Sequence, residues 1–277
     1  MTASLGGREL AAGLRARTAE TAAALAAAGT PPRLAVVVAT ADESSAWYVR
    51  SIAKAAAGVG IGCDVVDLGA DASTAEIRTS LHRLSDDAAV HGIILQTPLP
   101  PGVDVADLTP AIAPAKDVDG ANPASLGRLA AGLPAFAPAT AEAVLALLDH
   151  HGVALSGRHA VVVGRSTVVG KPAAHLLLDR DATVTICHSR TRDLPAITRQ
   201  ADVLVAAVGR AGLITAEHVS PGTVVIDVGT NPTADGGLVG DVDPGISAAG
   251  LTPVPGGVGP VTTALLLQHT IHAAGGP

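Results

Sequence analysis

His159-Ala160-Val161-Val162-Val163-Gly164-Arg165-Ser166-Thr167-Val168-Val169-Gly170-Lys171-Pro172 decides the fold, because an apolar strand breaks at a glycine-flanked turn that opens directly into a helix. The first turn of a helix leaves backbone N–H groups unpaired at the positive end of its dipole, a setting that suits a phosphate. The spacing from Gly164 to Gly170 is not the standard GxGxxG, so the turn alone indicates an anion site and no particular ligand. Working outward, strand-like runs alternate with helical stretches: Leu34 to Val38, Cys63 to Leu68, Gly92 to Leu95, His159 to Val163, Thr183 to Cys187, Val203 to Ala206 and Thr223 to Asp227. Such alternation reads as βαβ units building parallel sheets, an α/β fold.

The runs fall into two groups, separated by a Pro- and Ala-rich connection from Pro100 to Pro138 and a helix from about Thr140 to His151. Two domains follow: residues 1–138, and a Rossmann-like domain over 139–260. The rigid turn Thr252-Pro253-Val254-Pro255-Gly256-Gly257-Val258-Gly259-Pro260 then leads into a terminal helix, 261–277, expected to return to the first domain.

Composition narrows the function. Hydrophobic residues make up 48% of the 277, yet Phe, Trp, Tyr and Met occur once each, so Ala, Val and Leu must fill the cores and stacking platforms are excluded. A net charge of −7 without a basic stripe argues against nucleic acid as partner. Cys63 and Cys187 form neither a CxxC pair nor a zinc spacing; no metal site and a reducing compartment are expected. The absence of a signal-like segment or a long apolar run points to a cytoplasmic protein that does not enter membranes.

In dinucleotide folds an acid about 20 residues beyond the glycine turn holds the ribose 2′-hydroxyl of NAD. Here the second strand ends Cys187-His188-Ser189-Arg190-Thr191, with no acid. A hydroxyl and a guanidinium suit a 2′-phosphate, and Arg165 in the first turn adds a second cation, so NADP is the expected cofactor. His188 reads as a polar loop residue. Asp227, in Asp227-Val228-Gly229-Thr230-Asn231, reads either as a residue near the nicotinamide half or as a turn cap.

A second candidate site starts from the only Tyr and only Trp, in Ser44-Ser45-Ala46-Trp47-Tyr48-Val49-Arg50-Ser51-Ile52-Ala53-Lys54-Ala55, on an expected helix. Polar groups that would converge on Tyr48 are Gln96, leaving the third strand in Gln96-Thr97-Pro98-Leu99-Pro100, and Asp117 and Asp119 of Lys116-Asp117-Val118-Asp119-Gly120. These blocks, with Gly164 to Pro172, His188 to Thr191, Gly240-Asp241-Val242 and Pro253 to Pro260, resemble in order the bifunctional methylenetetrahydrofolate dehydrogenase/cyclohydrolase family across nearly the whole chain.

The resemblance implies two α/β domains with a cleft between them, and hydride transfer from 5,10-methylenetetrahydrofolate to NADP. It implies catalytic positions at Tyr48, Gln96 and Asp119; substrate contacts at Tyr48, Ile52, Gln96, Pro98, Leu99, Asp119, Pro255 and Gly256; and cofactor contacts at Gly164, Arg165, Ser166, Ser189, Arg190 and Thr230. Asp119 would hydrogen-bond the pterin. The family is commonly homodimeric, so a homodimer is expected.

One departure stands out. Where the family carries a lysine four residues after the tyrosine, serving cyclohydrolase chemistry, this chain has Ile52. Lys54, two residues on, is rotated from Tyr48 by about 240° on a helix. Isoleucine cannot move a proton, so weak or absent hydrolysis is expected. Thr97, Ser125 and Thr230 are smaller departures. The alternatives are the full bifunctional enzyme and a folate or nucleotide binder without turnover.

Overall fold

The computed structural model describes residues 2–276. In chain order the elements are β1 (Ala3–Ser4), α1 (Arg8–Ala27), β2 (Arg33–Val38), α2 (Glu43–Gly58), β3 (Gly62–Asp67), α3 (Thr74–Asp86), β4 (Gly92–Leu95), α4 (Pro123–Ala130), α5 (Ala139–His150), β5 (His159–Val163), α6 (Gly170–Leu178), β6 (Thr183–Cys187), α7 (Leu194–Thr198), β7 (Val203–Ala206), β8 (Val224–Asp227), β9 (Asn231–Pro232), β10 (Leu238–Val239), β11 (Gly250–Leu251) and α8 (Val258–Ala273). They form two compact units interleaved along the chain: Ala12–Ala139 with the residues from Thr263 onward, and the residues up to Ala11 with Thr140–Thr262.

The first of these units holds a three-stranded parallel sheet in the order β3-β2-β4. The central strand is apolar and buried without a break from Leu34 to Val38, as a strand covered on both faces must be. Its core joins Val37, Ile77, Leu81, Ile93, Leu108 and Ile112. Helix α3 starts with a capping box, in which Ser73 Oγ accepts from Glu76 N while Glu76 Oε2 accepts from Ser73 N at 2.8 Å. At its other end the Lys116 ammonium donates to the carbonyls of Leu84 and Asp87, at 3.4 and 2.7 Å.

The second unit is built on a six-stranded sheet, order β1-β11-β8-β7-β5-β6, whose neighbouring strands all run parallel. Val161, Val163, Leu204, Ile214, Val225 and Ile246 share its core. Because the strands are parallel, the ends of β5, β6, β7 and β8 all lie on one edge of the sheet, the edge where α/β folds bind ligands.

Two features depart from the sequence reading. Residues 2–11 join the second unit, because β1 pairs with β11 and Leu5 is buried over Gly250, which has no side chain to obstruct it. A two-residue strand carries too little periodicity to read. The connection after Pro100 contains three short 3-10 turns and helix α4, whose start Asn122-Pro123 follows the usual pattern of a capping side chain before proline.

Candidate functional site

In the unit built on β2, α2 starts at Asp42, whose carboxylate accepts from Ser45 N at 2.7 Å. One turn on, Tyr48 shares a side-chain hydrogen bond with Thr263 of α8. Burial, and then the charge of Asp119, push the phenol up to about 12, so it remains a hydrogen-bond donor throughout the physiological range. Ile52, on the same face one turn further, is fully buried, whereas Lys54 is exposed. The other lysines are committed elsewhere: Lys116 caps α3, and Lys171 is exposed in α6.

The two acids of the Lys116 to Gly120 block have different tasks. Asp117 is completely buried and accepts from Ala121 N at 2.9 Å, Asn122 N at 2.8 Å and Ser125 Oγ at 2.7 Å, which fixes the loop and the start of α4. Ser125 therefore has a definite role as a donor to Asp117. Asp119 has no such donors among the hydrogen bonds of the described residues. Burial, reinforced by the charge of Asp117 and opposed by His269, pushes its carboxyl up to about 7. Tyr48, Asp117, Asp119 and His269 thus form one electrostatically coupled group.

Gln96 leaves β4 with its amide hydrogen-bonded to Val37 O at 2.9 Å, and its side chain donates to Thr97 O at 2.6 Å. Ser45 Oγ donates to the same carbonyl at 3.2 Å, so Gln96 is tied to the start of α2. The Thr97–Pro98 peptide is cis. Pro98 is exposed, Leu99 is half-buried, and both line an open hollow with Gly102, Val103 and Asp104.

In the other unit, Gly164 ends β5 at φ +132°, and a Cβ there would overlap the Ala207 carbonyl. A Cβ on Gly170 would in turn strike the backbone of Gly164, so both glycines are needed for the turn to close. Ser166 Oγ accepts from Val169 N at 3.1 Å at the entrance to α6. Arg165 and Ser166 are exposed beside that helix start. After β6, His188 organises the turn: its backbone N–H donates to Thr191 Oγ1 at 2.9 Å, and its Nδ1 accepts from Arg190 N at 3.1 Å. Ser189 and Arg190 are exposed there. The nearest acid, Asp193, caps α7. A hydroxyl, two guanidinium groups and a helix start, with no acid between Cys187 and Thr191, fit a phosphorylated dinucleotide.

At the end of β8, Asp227 is a structural acid. It accepts from Gly229 N at 2.9 Å, Asp241 N at 2.9 Å and Val242 N at 3.0 Å. Asp241 gathers the loop after β7 by accepting from Val208 N at 2.7 Å, Gly209 N at 3.0 Å and Arg210 N at 2.7 Å, and takes Asn231 Nδ2 at 3.0 Å. Thr230 is exposed just beyond Gly229. Pro255, after a cis peptide, and Gly256, whose carbonyl accepts from Gly7 N at 2.9 Å, precede α8 in this same unit. The expected substrate residues are accordingly divided, with Tyr48, Ile52, Gln96, Pro98, Leu99 and Asp119 in one unit and Pro255 and Gly256 in the other.

Thr263, His269 and Asp241 were given no role by the sequence reading. Polarity alone did not single out the first two, because the same helix also carries Thr262, Gln268, Thr270 and His272. Among the described residues no cluster of His, Cys, Asp or Glu could hold a metal. No helix among them is long and apolar enough to cross a membrane.

Comparison with known proteins matches residues 5–119 to the tetrahydrofolate dehydrogenase/cyclohydrolase catalytic domain and residues 138–276 to the NAD(P)-binding domain of the same family. The chain is 72% identical over 276 residues to bifunctional protein FolD 1 of Saccharopolyspora erythraea, covering 99% of this chain and 94% of that protein. It is 67% identical over 278 residues to bifunctional protein FolD 1 of Rhodococcus jostii, with 99% and 94% covered. Among solved structures, the bifunctional FolD enzyme of Campylobacter jejuni superposes with a TM-score of 0.96 at 38% identity, covering 99% of both chains. The Trypanosoma brucei dehydrogenase-cyclohydrolase, solved with NADP and an inhibitor, gives 0.94 at 37% identity, covering 99% of this chain and 97% of that one.

Proposed function

The chain belongs to the tetrahydrofolate dehydrogenase/cyclohydrolase family, and from that premise we propose that it oxidises 5,10-methylenetetrahydrofolate to the 5,10-methenyl cation with NADP as hydride acceptor, and hydrolyses that cation slowly. The single observation that carries the reading is the pairing of Tyr48, a phenol held protonated, with Asp119, a carboxyl poised to ionise near neutrality.

When bound, the nicotinamide supplies the acceptor for the hydride leaving the methylene bridge. The residues of this chain bind and orient. Asp119, as carboxylate, accepts hydrogen bonds from the N–H groups of the pterin, and its charge favours the cation that forms. Tyr48 donates a hydrogen bond near the one-carbon unit, while Gln96 adds a polar contact beside it. Pro98 and Leu99 supply apolar surface for the folate. The α6 start, Gly164, Ser166 and Thr230 receive the dinucleotide, and Arg165, Ser189 and Arg190 favour a 2′-phosphate. The NADP complex of the Trypanosoma brucei relative supports this choice of cofactor.

Hydrolysis of the methenyl cation to 10-formyltetrahydrofolate consumes water and releases a proton, which a side chain must take up or pass on. Ile52 offers no such group, and Lys54 is exposed. The second reading, a full bifunctional enzyme, is favoured by the relatives, which are named bifunctional at up to 72% identity. A steady-state assay of both half-reactions with NADP and NAD separates the readings. Reduction of NADP with hydrolysis near the buffer rate supports the first, while hydrolysis keeping pace with oxidation supports the second. Ligand binding without reduction would leave a non-catalytic binder. A homodimer in the cytoplasm is part of the same proposal, checked by sedimentation.

A further inference from the structure

His269, on α8, is a buried histidine that the reaction as derived does not use, only 4% exposed. Its Nδ1 lies 2.7 Å from Val118 O, and since a carbonyl only accepts, Nδ1 carries a proton and donates. Val118 is the residue between Asp117 and Asp119, so this bond ties the two-acid loop to α8. The ring packs on Phe136 with centroids 5.0 Å apart, which limits its freedom to turn away. Three titratable groups surround Asp119: Asp117 from its own loop, Tyr48 from α2 and His269 from α8. Of these only the histidine can carry positive charge. When protonated, it acts on both Asp117 and Asp119 in the direction that favours carboxylate.

We propose that His269 is a positioning residue for Asp119, holding its loop through Val118 and supplying the counter-charge that keeps the carboxylate available to the pterin. The proposal rests on the assignment of Asp119 to the folate. Without the ring's charge, burial and Asp117 act unopposed and Asp119 ionises only at higher pH. Asparagine at this position retains an N–H donor for Val118 O and removes the charge, so H269N separates the electrostatic role from a merely structural one.

The experiment measures methylenetetrahydrofolate-dependent NADP reduction from pH 6 to 9 for the wild type, H269N and H269A, together with calorimetric binding of tetrahydrofolate over the same range. For H269N the expected result is a KM for the folate about fivefold higher at pH 7, recovering toward pH 9, as a shift of about one pH unit from 7 implies. Its KM for NADP, kcat at saturation and melting temperature are expected to stay close to those of the wild type. H269A, which also loses the bond to Val118, is expected to bind tetrahydrofolate more weakly at every pH. A folded H269N with the wild-type pH profile overturns the proposal. If the wild type binds tetrahydrofolate but reduces no NADP, the dehydrogenase reading fails by itself. The binding profiles then decide the role of His269, and coincident wild-type and H269N curves overturn it.

Discussion

At the scale of single residues, Asp119 and Ile52 matter most, for opposite reasons. Asp119 ionises near pH 7 in the folded chain against 3.8 ordinarily, so folding favours its protonated form. That preference stabilises the fold fully below about pH 4 and is lost as pH rises through 7. Asp119→Asn removes the buried charge, and its melting temperature is expected to exceed that of the wild type at pH 8 by several degrees, about 2 kcal/mol, with little difference at pH 4. The same variant is expected to lose about 100-fold in kcat/KM for the folate, as a lost charged hydrogen bond implies. In the wild type, kcat/KM should fall as pH drops below about 7. Ile52→Lys is expected to gain measurable methenyl hydrolysis and to lose stability, because the site is fully buried; stopped-flow decay of the methenyl absorbance reads the gain. Arg190→Ala should raise the KM for NADP tenfold or more, by about 1.5 kcal/mol, and leave that for NAD unchanged. An equal effect on both cofactors would remove the 2′-phosphate assignment.

At the scale of elements, both candidate regions are held by short polar anchors at the ends of strands and helices. Asp117 fastens the loop that presents Asp119, and Asp241 gathers the backbone after β7 toward the end of β8. Gly240 is part of this second anchor, since a Cβ there would overlap the Asp227 carboxylate. Gly240→Ala is therefore expected to cost about 3 kcal/mol and to weaken cofactor binding, as read by denaturant unfolding and NADP titration. The turn opened by Gly164 could be read directly in the sequence, because a strand, two glycines and a helix lie in consecutive residues. The roles of Asp117 and Asp227 could not, because an acid in a loop looks the same whether its partners are backbone amides or a ligand.

At the scale of the whole molecule, the chain passes between its two units more than once. Residues up to Ala11 belong with Thr140–Thr262, while the chain from Thr263 onward belongs with Ala12–Ala139. Helix α8 thereby delivers Thr263 and His269 to a site whose other members lie more than 140 positions earlier in sequence. Deleting residues 2–5 removes edge strand β1 and exposes the surface under Leu5. The shortened chain is expected to lose about 2 kcal/mol and to bind NADP less tightly, which thermal unfolding with and without NADP would register.

The amino-acid sequence by itself determined the α/β class, the seven principal strands and the glycine turn, because each of these rests on local periodicity or adjacent residues; the residues proposed for folate and dinucleotide rested on the family resemblance. Only the tertiary structure decided which polar groups share an environment. It placed Tyr48, Asp117, Asp119 and His269 in one cluster, separated the anchoring acids from the acid left to titrate, and buried Ile52 where Lys54 cannot replace it. Burial and charge coupling depend on distances through space, and those exist only once the chain has folded.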